Sequence, residues 1–98
     1  MPEPIDLIIH APLRLAIMNL LVNNSEAEFA ELKSKTNASA GNLSAQIKKL
    51  NDAGYISIVK QFKNNYPQTL CKITAKGIKA FENYAEVLKT YIQKNIPG

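Results

Sequence analysis

The stretch ASAGNLSAQIKKLNDAGYISI, residues 38–58, brings two amides and two cations onto one helical surface. Leu43, Ile47 and Leu50 recur four and three residues apart, the spacing of an apolar helical stripe. That stripe leaves Gly41, Asn42, Ala45, Lys48 and Lys49 outward, with Ser44 and Gln46 at the margins. An Asn or Gln side chain carries a donor and an acceptor in one plane, the pair that the edge of adenine requires. Lys48 and Lys49 suit phosphates or guanine, and small residues at the helix start permit close approach. Amides and lysines on a helix are also what plain solvation produces, so this face alone leaves both accounts open.

A second polar group lies in KQFKNNYPQ, where Lys60, Lys63, Asn64, Asn65, Tyr66 and Gln68 fall between two runs of strand character. Lysines there neutralise phosphates, and amides or a tyrosine hydroxyl donate to the same oxygens. A solvated hairpin tip is the competing account. Catalysis finds little to use: there is no nucleophile elbow, phosphate-binding loop, zinc-protease motif or acid/base pair on a shared face. His10 stands beside Pro12 at the start of a helix as a capping or packing residue. With one Cys and no second His, no metal site and no cofactor are expected. Cys71, in a strand, reads as a buried small hydrophobe, with a redox-sensing thiol as the alternative.

Charge is unevenly distributed. The chain has 98 residues and a net charge of +4, yet residues 1–32 hold Arg14 alone against five carboxylates, whereas residues 33–79 hold nine lysines against Asp52 alone. The basic segment contains both polar groups described above and points to a polyanion partner. An apolar fraction of 46% with 20% charged residues is the balance of an ordered globular chain. Its length fits one domain, 1–98, with one core and no roomy cleft between domains. Glu3 and Asp6 stand where a signal peptide needs positive charge, no apolar run reaches the length of a membrane span, and the lone Cys suits a reducing interior. A cytoplasmic location without membrane contact is therefore expected.

These groups need elements to hold them. HAPLRLAIMNLLVNN predicts a first helix with Pro12 in its first turn and an end near Asn23 and Asn24. SEAEFAELKSKTN predicts a short second helix. Its start is open between a capping box at Ser25 and Glu28 and a brief extended segment preceding a helix from Ala30. Ser39 is a good N-cap for the third helix, and Gly54 fits a left-handed C-terminal position. YISIVKQF and QTLCKIT alternate as two strands joined by the polar loop KNNYP. Leu70 and Ile73 sit on opposite sides of the second strand, so its inward face is open. Thr74 can cap a last helix of about 20 residues, roughly 30 Å long, whose distal half is expected to pass beyond its own core. Ile78, Phe81, Ala85, Leu88 and Ile92 form a three-four seam along it. Tyr84, Val87 and Tyr91 form a second stripe, so that one face serves the domain and the other is left over.

The order helix, helix, helix, hairpin, helix is that of a winged helix-turn-helix unit, an α+β but mainly α fold with a three-helix core, a β-hairpin wing and a long C-terminal dimerisation helix. Through IHAPLRLAIMNLL, GNLSAQIKKLNDAGYI and ITAKGIKAF, the chain resembles the small MarR-like winged-helix transcriptional regulators over roughly residues 8–90. The resemblance implies a homodimer that binds double-stranded DNA, with the third helix, about Ser39 to Asp52, in the major groove and a wing, about Lys60 to Gln68, on the backbone. The wing holds no arginine, which favours backbone contact over reading of the minor groove. The N- and C-terminal helices would make the dimer, here Ile5, Ile8 and Ile9 with Tyr84, Val87, Leu88, Tyr91 and Ile92. A small-molecule effector between the dimer helices and the reading unit is a further implication, although no residue identifies one. The rival expectation is the same fold used as a protein-interaction or RNA-associated module.

Overall fold

The structure is a computed structural model that describes residues 3–95; residues 1–2 and 96–98 of the expected unit lie outside it. Its elements run α1 (Pro12–Asn24), β1 (Glu26–Glu28), α2 (Phe29–Thr36), α3 (Ala40–Asp52), β2 (Ile56–Lys63), β3 (Tyr66–Ile73) and α4 (Ala75–Asn95). Apolar residues cover most of the circumference of α1, leaving Asn19 and Asn23 on its exposed side, and a helix so widely apolar lies largely in the interior. Ile17, Met18 and Leu21 are fully buried in it, and Leu13, Leu15 and Leu20 pack around the same core. The α3 stripe closes on this centre: Leu43, Ile47 and Leu50 are all buried, joined by Leu32 of α2.

The open alternative at Ser25 resolves toward the extended segment. Ser25 ends α1 with a left-handed φ of 69° and its N–H on the Leu21 carbonyl, and Glu26–Glu28 then form a strand. β1 lies beside β3, and the sheet order is β1-β3-β2, antiparallel throughout. Ile56, Ile58, Cys71 and Ile73 share the face that turns to the core. Leu70 is buried on the other face, where it pairs with Glu28 of β1. Both sides of β3 are covered, which is why its alternation carried no clear signal.

The hairpin is longer than its sequence predicts. KNNYP was expected to break the strands, but only Asn64 and Asn65 turn, with φ of 53° and 66°, and Lys63 pairs directly with Tyr66. Two consecutive left-handed residues make a tight primed hairpin turn, a conformation asparagine tolerates better than most residues. Pro67 survives inside β3 because it faces Phe62 in a non-hydrogen-bonded pair, where its missing N–H points away from β2, and β1 ends before reaching it.

One junction ties α3, the hairpin and the last helix together. α3 ends with Gly54 at φ 80°; the Gly54 N–H donates to the Asn51 carbonyl and the Tyr55 N–H to that of Leu50. This pair of bonds satisfies carbonyls that the helix end leaves open. Thr74 then donates its hydroxyl to the Gly54 carbonyl at 2.6 Å and accepts the Gly77 N–H at 3.0 Å, while its own N–H reaches the Tyr55 carbonyl. The first turn of α4 approaches so closely that a Cβ on Gly77 would overlap the Tyr55 carbonyl oxygen and stand 2.9 Å from its carbon. The spacing in ITAKG is therefore a cap and a close contact. α4 carries the chain outward, and the radius of gyration of 15.0 Å exceeds the about 13 Å usual for this length.

The segment before α1 is a strap and not a helix. Asp6 accepts the N–H groups of Ile8 and Ile9 on Oδ1 and the Tyr55 hydroxyl on Oδ2 at 2.6 Å. Tyr84 meets His10 Nδ1 at 2.8 Å, so His10 packs as expected, and Tyr91 donates to the Glu3 carbonyl. These contacts place Ile9 and Tyr84 in the chain's own core and leave Val87 only 5% exposed. The expectation that Ile9, Tyr84 and Val87 face a partner is corrected accordingly: the stripe Tyr84, Val87, Tyr91 serves this domain, Phe81 and Leu88 of the seam pack against the core edge, and Ile78, Ala85 and Ile92 are left exposed.

Two outcomes follow for the fold. Alanine at a helical glycine is otherwise favoured by about 1 kcal/mol, so a Gly77→Ala protein that loses about 3 kcal/mol in urea unfolding isolates the clash with Tyr55. Burial, then the bond to Asp6 and its charge, push the Tyr55 phenol up to about 12. An unfolded tyrosine ionises near 10, so this contribution to stability is complete below pH about 10 and is lost as pH rises toward 12. Tyr55→Phe should reduce the fall in stability across that window, as measured by unfolding at fixed pH.

Candidate nucleic-acid interface

Ser39 accepts the Asn42 N–H at 3.2 Å and starts α3 where its sequence predicts. From that cap the helix presents Gly41, Asn42, Ser44, Ala45, Lys48 and Lys49 to solvent, while Gln46 is half-buried. β2 passes beside it. Ser44 and Lys48 of α3 and Lys60 of β2 line one open groove of about 350 Å³, floored by Phe29, Ile47, Ile58 and Thr69. Helix and hairpin thus place Lys48 and Lys60 on a common side. An α-helix with its side chains is about 10–12 Å across, and the major groove of B-DNA is about 12 Å wide.

The charges on this side are lightly held. Lys48 pairs with Asp52 at 2.8 Å, both well exposed, and that hydrogen bond and charge raise the lysine above its ordinary range. Such surface pairs are worth little and exchange readily for a phosphate. Lys63 meets Glu28 at 3.6 Å, and Lys49, Lys60, Asn64, Asn65 and Tyr66 stand exposed. Gln68 differs from the other expected wing residues: it is half-buried, and its Oε1 is buried without a hydrogen-bond partner among the described residues.

The structure changes the expected role of Gln46. Its Oε1 accepts from Arg14 Nη1 and its Nε2 donates to Asn42 Oδ1 at 3.0 Å, so both ends are occupied. Arg14 lies 32 residues earlier, in the acidic third of the chain, and sequence reasoning did not connect the two. Its solitude among carboxylates was the available signal. Phe62, 79% exposed on the hairpin arm opposite Pro67, was also missed.

Cys71 is fully buried, and burial raises its thiol to about 11. A thiolate is the reactive form, so the residue behaves as the small hydrophobe its sequence context suggested. Among the described residues no group of His, Cys, Asp and Glu could hold a metal, and no helix is long and apolar enough to cross a membrane.

A three-helix unit with an exposed polar third helix, flanked by a lysine-bearing hairpin, defines a winged helix protein of the nucleic-acid-binding kind. The chain belongs to the family of winged helix DNA-binding domains, which residues 13–92 match. That is a family of DNA-binding domains and not of enzymes. The chain is 38% identical to an uncharacterised protein of Methanocaldococcus jannaschii over 90 residues, which are 91% of this chain and 96% of that one. Among solved structures it resembles a transcriptional regulator homologue from Pyrococcus horikoshii OT3, with a TM-score of 0.84 and 28% identity over 89% of this chain and 86% of that chain. The fold is also that of HlyU from Vibrio cholerae, at TM-score 0.64 and 21% identity over 83% of each chain.

The turn offers a direct check on the wing. Replacing Asn64 and Asn65 together by alanine keeps the left-handed strain and removes the short polar side chains that offset it, a loss smaller than the about 1–2 kcal/mol per residue of the strain itself. Amide exchange should then accelerate across residues 60–69 while α3 stays protected.

Proposed function

We propose that this chain is a homodimeric, sequence-specific regulator of transcription that binds double-stranded DNA. The observation that carries the proposal is the side shared by α3 and the hairpin, where an exposed row of small residues, an amide and lysines lies beside Lys60 in the only strongly positive part of the sequence. In this reading α3, about 39–52, enters the major groove, and the wing, about 60–68, rests on the phosphates. Ser39, Gly41, Asn42, Ser44, Ala45, Lys48 and Lys49 make the first contact; Lys60, Lys63, Asn64, Asn65 and Tyr66 make the second.

The partner that completes a two-fold reader is a second copy. Phe81, Ala85, Leu88 and Ile92 of α4 line an open, largely apolar groove of about 500 Å³ with Leu15. Leu7 and Ile8 on the strap are exposed at 75% and 36%, and Ile92 at 48%. Exposed apolar surface of this kind on a small chain is costly in water, and an antiparallel or crossed copy of α4 would cover it. The two copies of α3 would then meet successive major grooves about one DNA turn apart. The Pyrococcus relative, described as a transcriptional regulator homologue, supports the regulatory role. The work of such a regulator lies with the genome, which accords with a cytoplasmic location.

Duplex binding followed by fluorescence anisotropy at several salt concentrations tests the reading. Affinity should fall steeply as salt rises, and replacing Lys48 and Lys49 together by alanine should lower the slope of log K against log salt by about 2. Salt-independent binding, or a slope the double variant leaves unchanged, would refute it. Light scattering on the same sample should give twice the 10.8 kDa chain mass. A monomer would favour an interaction module in which the α4 groove receives a foreign chain.

A further inference from the structure

We infer that Asn42 is locked as a hydrogen-bond donor toward DNA, and therefore selects guanine or thymine over adenine at the base it meets. The inference deepens the DNA-binding reading and rests on it. Its origin is Arg14. A guanidinium only donates, so the Gln46 atom it meets has to be the carbonyl oxygen. That turns Nε2 of Gln46 toward the first turn of α3, where it donates to Oδ1 of Asn42 at 3.0 Å. That bond takes one of the two lone pairs of the Asn42 oxygen and fixes the amide with Oδ1 turned toward Gln46. The group turned away from Gln46, toward a partner, is Nδ2, with two N–H donors.

The lock has support behind it. Arg14 also donates from Nε to the Ile8 carbonyl at 2.6 Å and from Nη2 to the Leu7 carbonyl at 3.3 Å. The strap that offers those carbonyls is itself held by Asp6, whose other oxygen accepts from Tyr55. Gln46 is half-buried and Asn42 exposed. Arg14 and Gln46 are thus positioning residues, and Asn42 is the group that touches DNA. Recognition of adenine by an asparagine takes one donor and one acceptor, whereas guanine presents two acceptors, N7 and O6, and thymine presents O4. An Asn42 that presents its Nδ2 donors can use both acceptors of guanine or O4 of thymine, but at adenine it meets N7 alone and faces the N6 amine donor to donor.

The test is selection of bound duplexes from a randomised library by the full chain, by Asn42→Ala and by Gln46→Glu. Asn42→Ala marks the base position, because preference should be lost there and kept elsewhere. At that position the wild-type chain should favour guanine or thymine over adenine by about tenfold. The carboxylate that Gln46→Glu introduces would keep a partner for Arg14 but could only accept, so Asn42 would turn its Nδ2 inward and present Oδ1. Gln46→Glu should therefore move the preference to a base with an exocyclic amine, adenine or cytosine. Wild-type preference for adenine, or an unchanged preference in Gln46→Glu, overturns the inference. A wild-type chain that selects no duplex overturns the DNA-binding reading with it. Side-chain amide exchange in the wild-type chain without DNA distinguishes that failure from a failed lock: Gln46 Nε2 should be protected relative to Asn42 Nδ2, and equal rates mean that no lock exists.

Discussion

The rest of the structure depends on the close approach of α4 to the Tyr55 carbonyl, made possible by the missing side chain at Gly77. At that point four chain segments meet: the end of α3, the start of β2, the end of β3 and the start of α4. Thr74 bonds to both sides of the contact, to the Gly54 carbonyl behind it and the Gly77 N–H ahead. Because interiors are close-packed and do not deform continuously, fixing this junction fixes the angle of the wing and of the last helix against the reading helix. The candidate interface on α3 and the hairpin therefore has its geometry set before a partner arrives.

A second consequence concerns how the small core is closed. α1 fills the centre with Ile17, Met18 and Leu21, and the N-terminal strap covers what the helices leave open. Asp6 does this by capping the strap turn and bonding to Tyr55, Tyr84 by meeting His10, and Arg14 by gripping two strap carbonyls. The same Arg14 reaches the margin of the polar face through Gln46. Stability of the fold and orientation of the exposed amides therefore share one residue. The apolar α4 groove adjoins this network at Tyr84 and opens to solvent at Ala85 and Ile92.

Much of this was legible in the sequence where one local rule decided the outcome. The α3 stripe Leu43, Ile47, Leu50 identified the buried side, Ser39 the helix start and Gly54 its end, because spacing and capping are local. Four features were not legible. β3 is covered on both faces, so alternation could not orient it, and Asn64 and Asn65 turn so tightly that residues read as loop are paired strand. On α4, two apolar stripes of similar quality compete, and only packing against His10 and the strap shows that Tyr84 and Val87 turn inward. The Arg14 to Gln46 contact spans 32 residues and has no periodic trace at all. Residue types on the reading face were visible in advance; which of their atoms are already occupied was a matter of tertiary structure.

The central claim is that α3 and the wing, not the apolar side of α4, meet duplex DNA. Backbone amide shifts recorded while a duplex is titrated into the labelled chain test it most directly. The account predicts changes concentrated in residues 39–49 and 60–66, with the α4 groove around Ala85 and Leu88 undisturbed. Shifts centred on that groove, with Gly41, Asn42 and Lys60 silent, would contradict it.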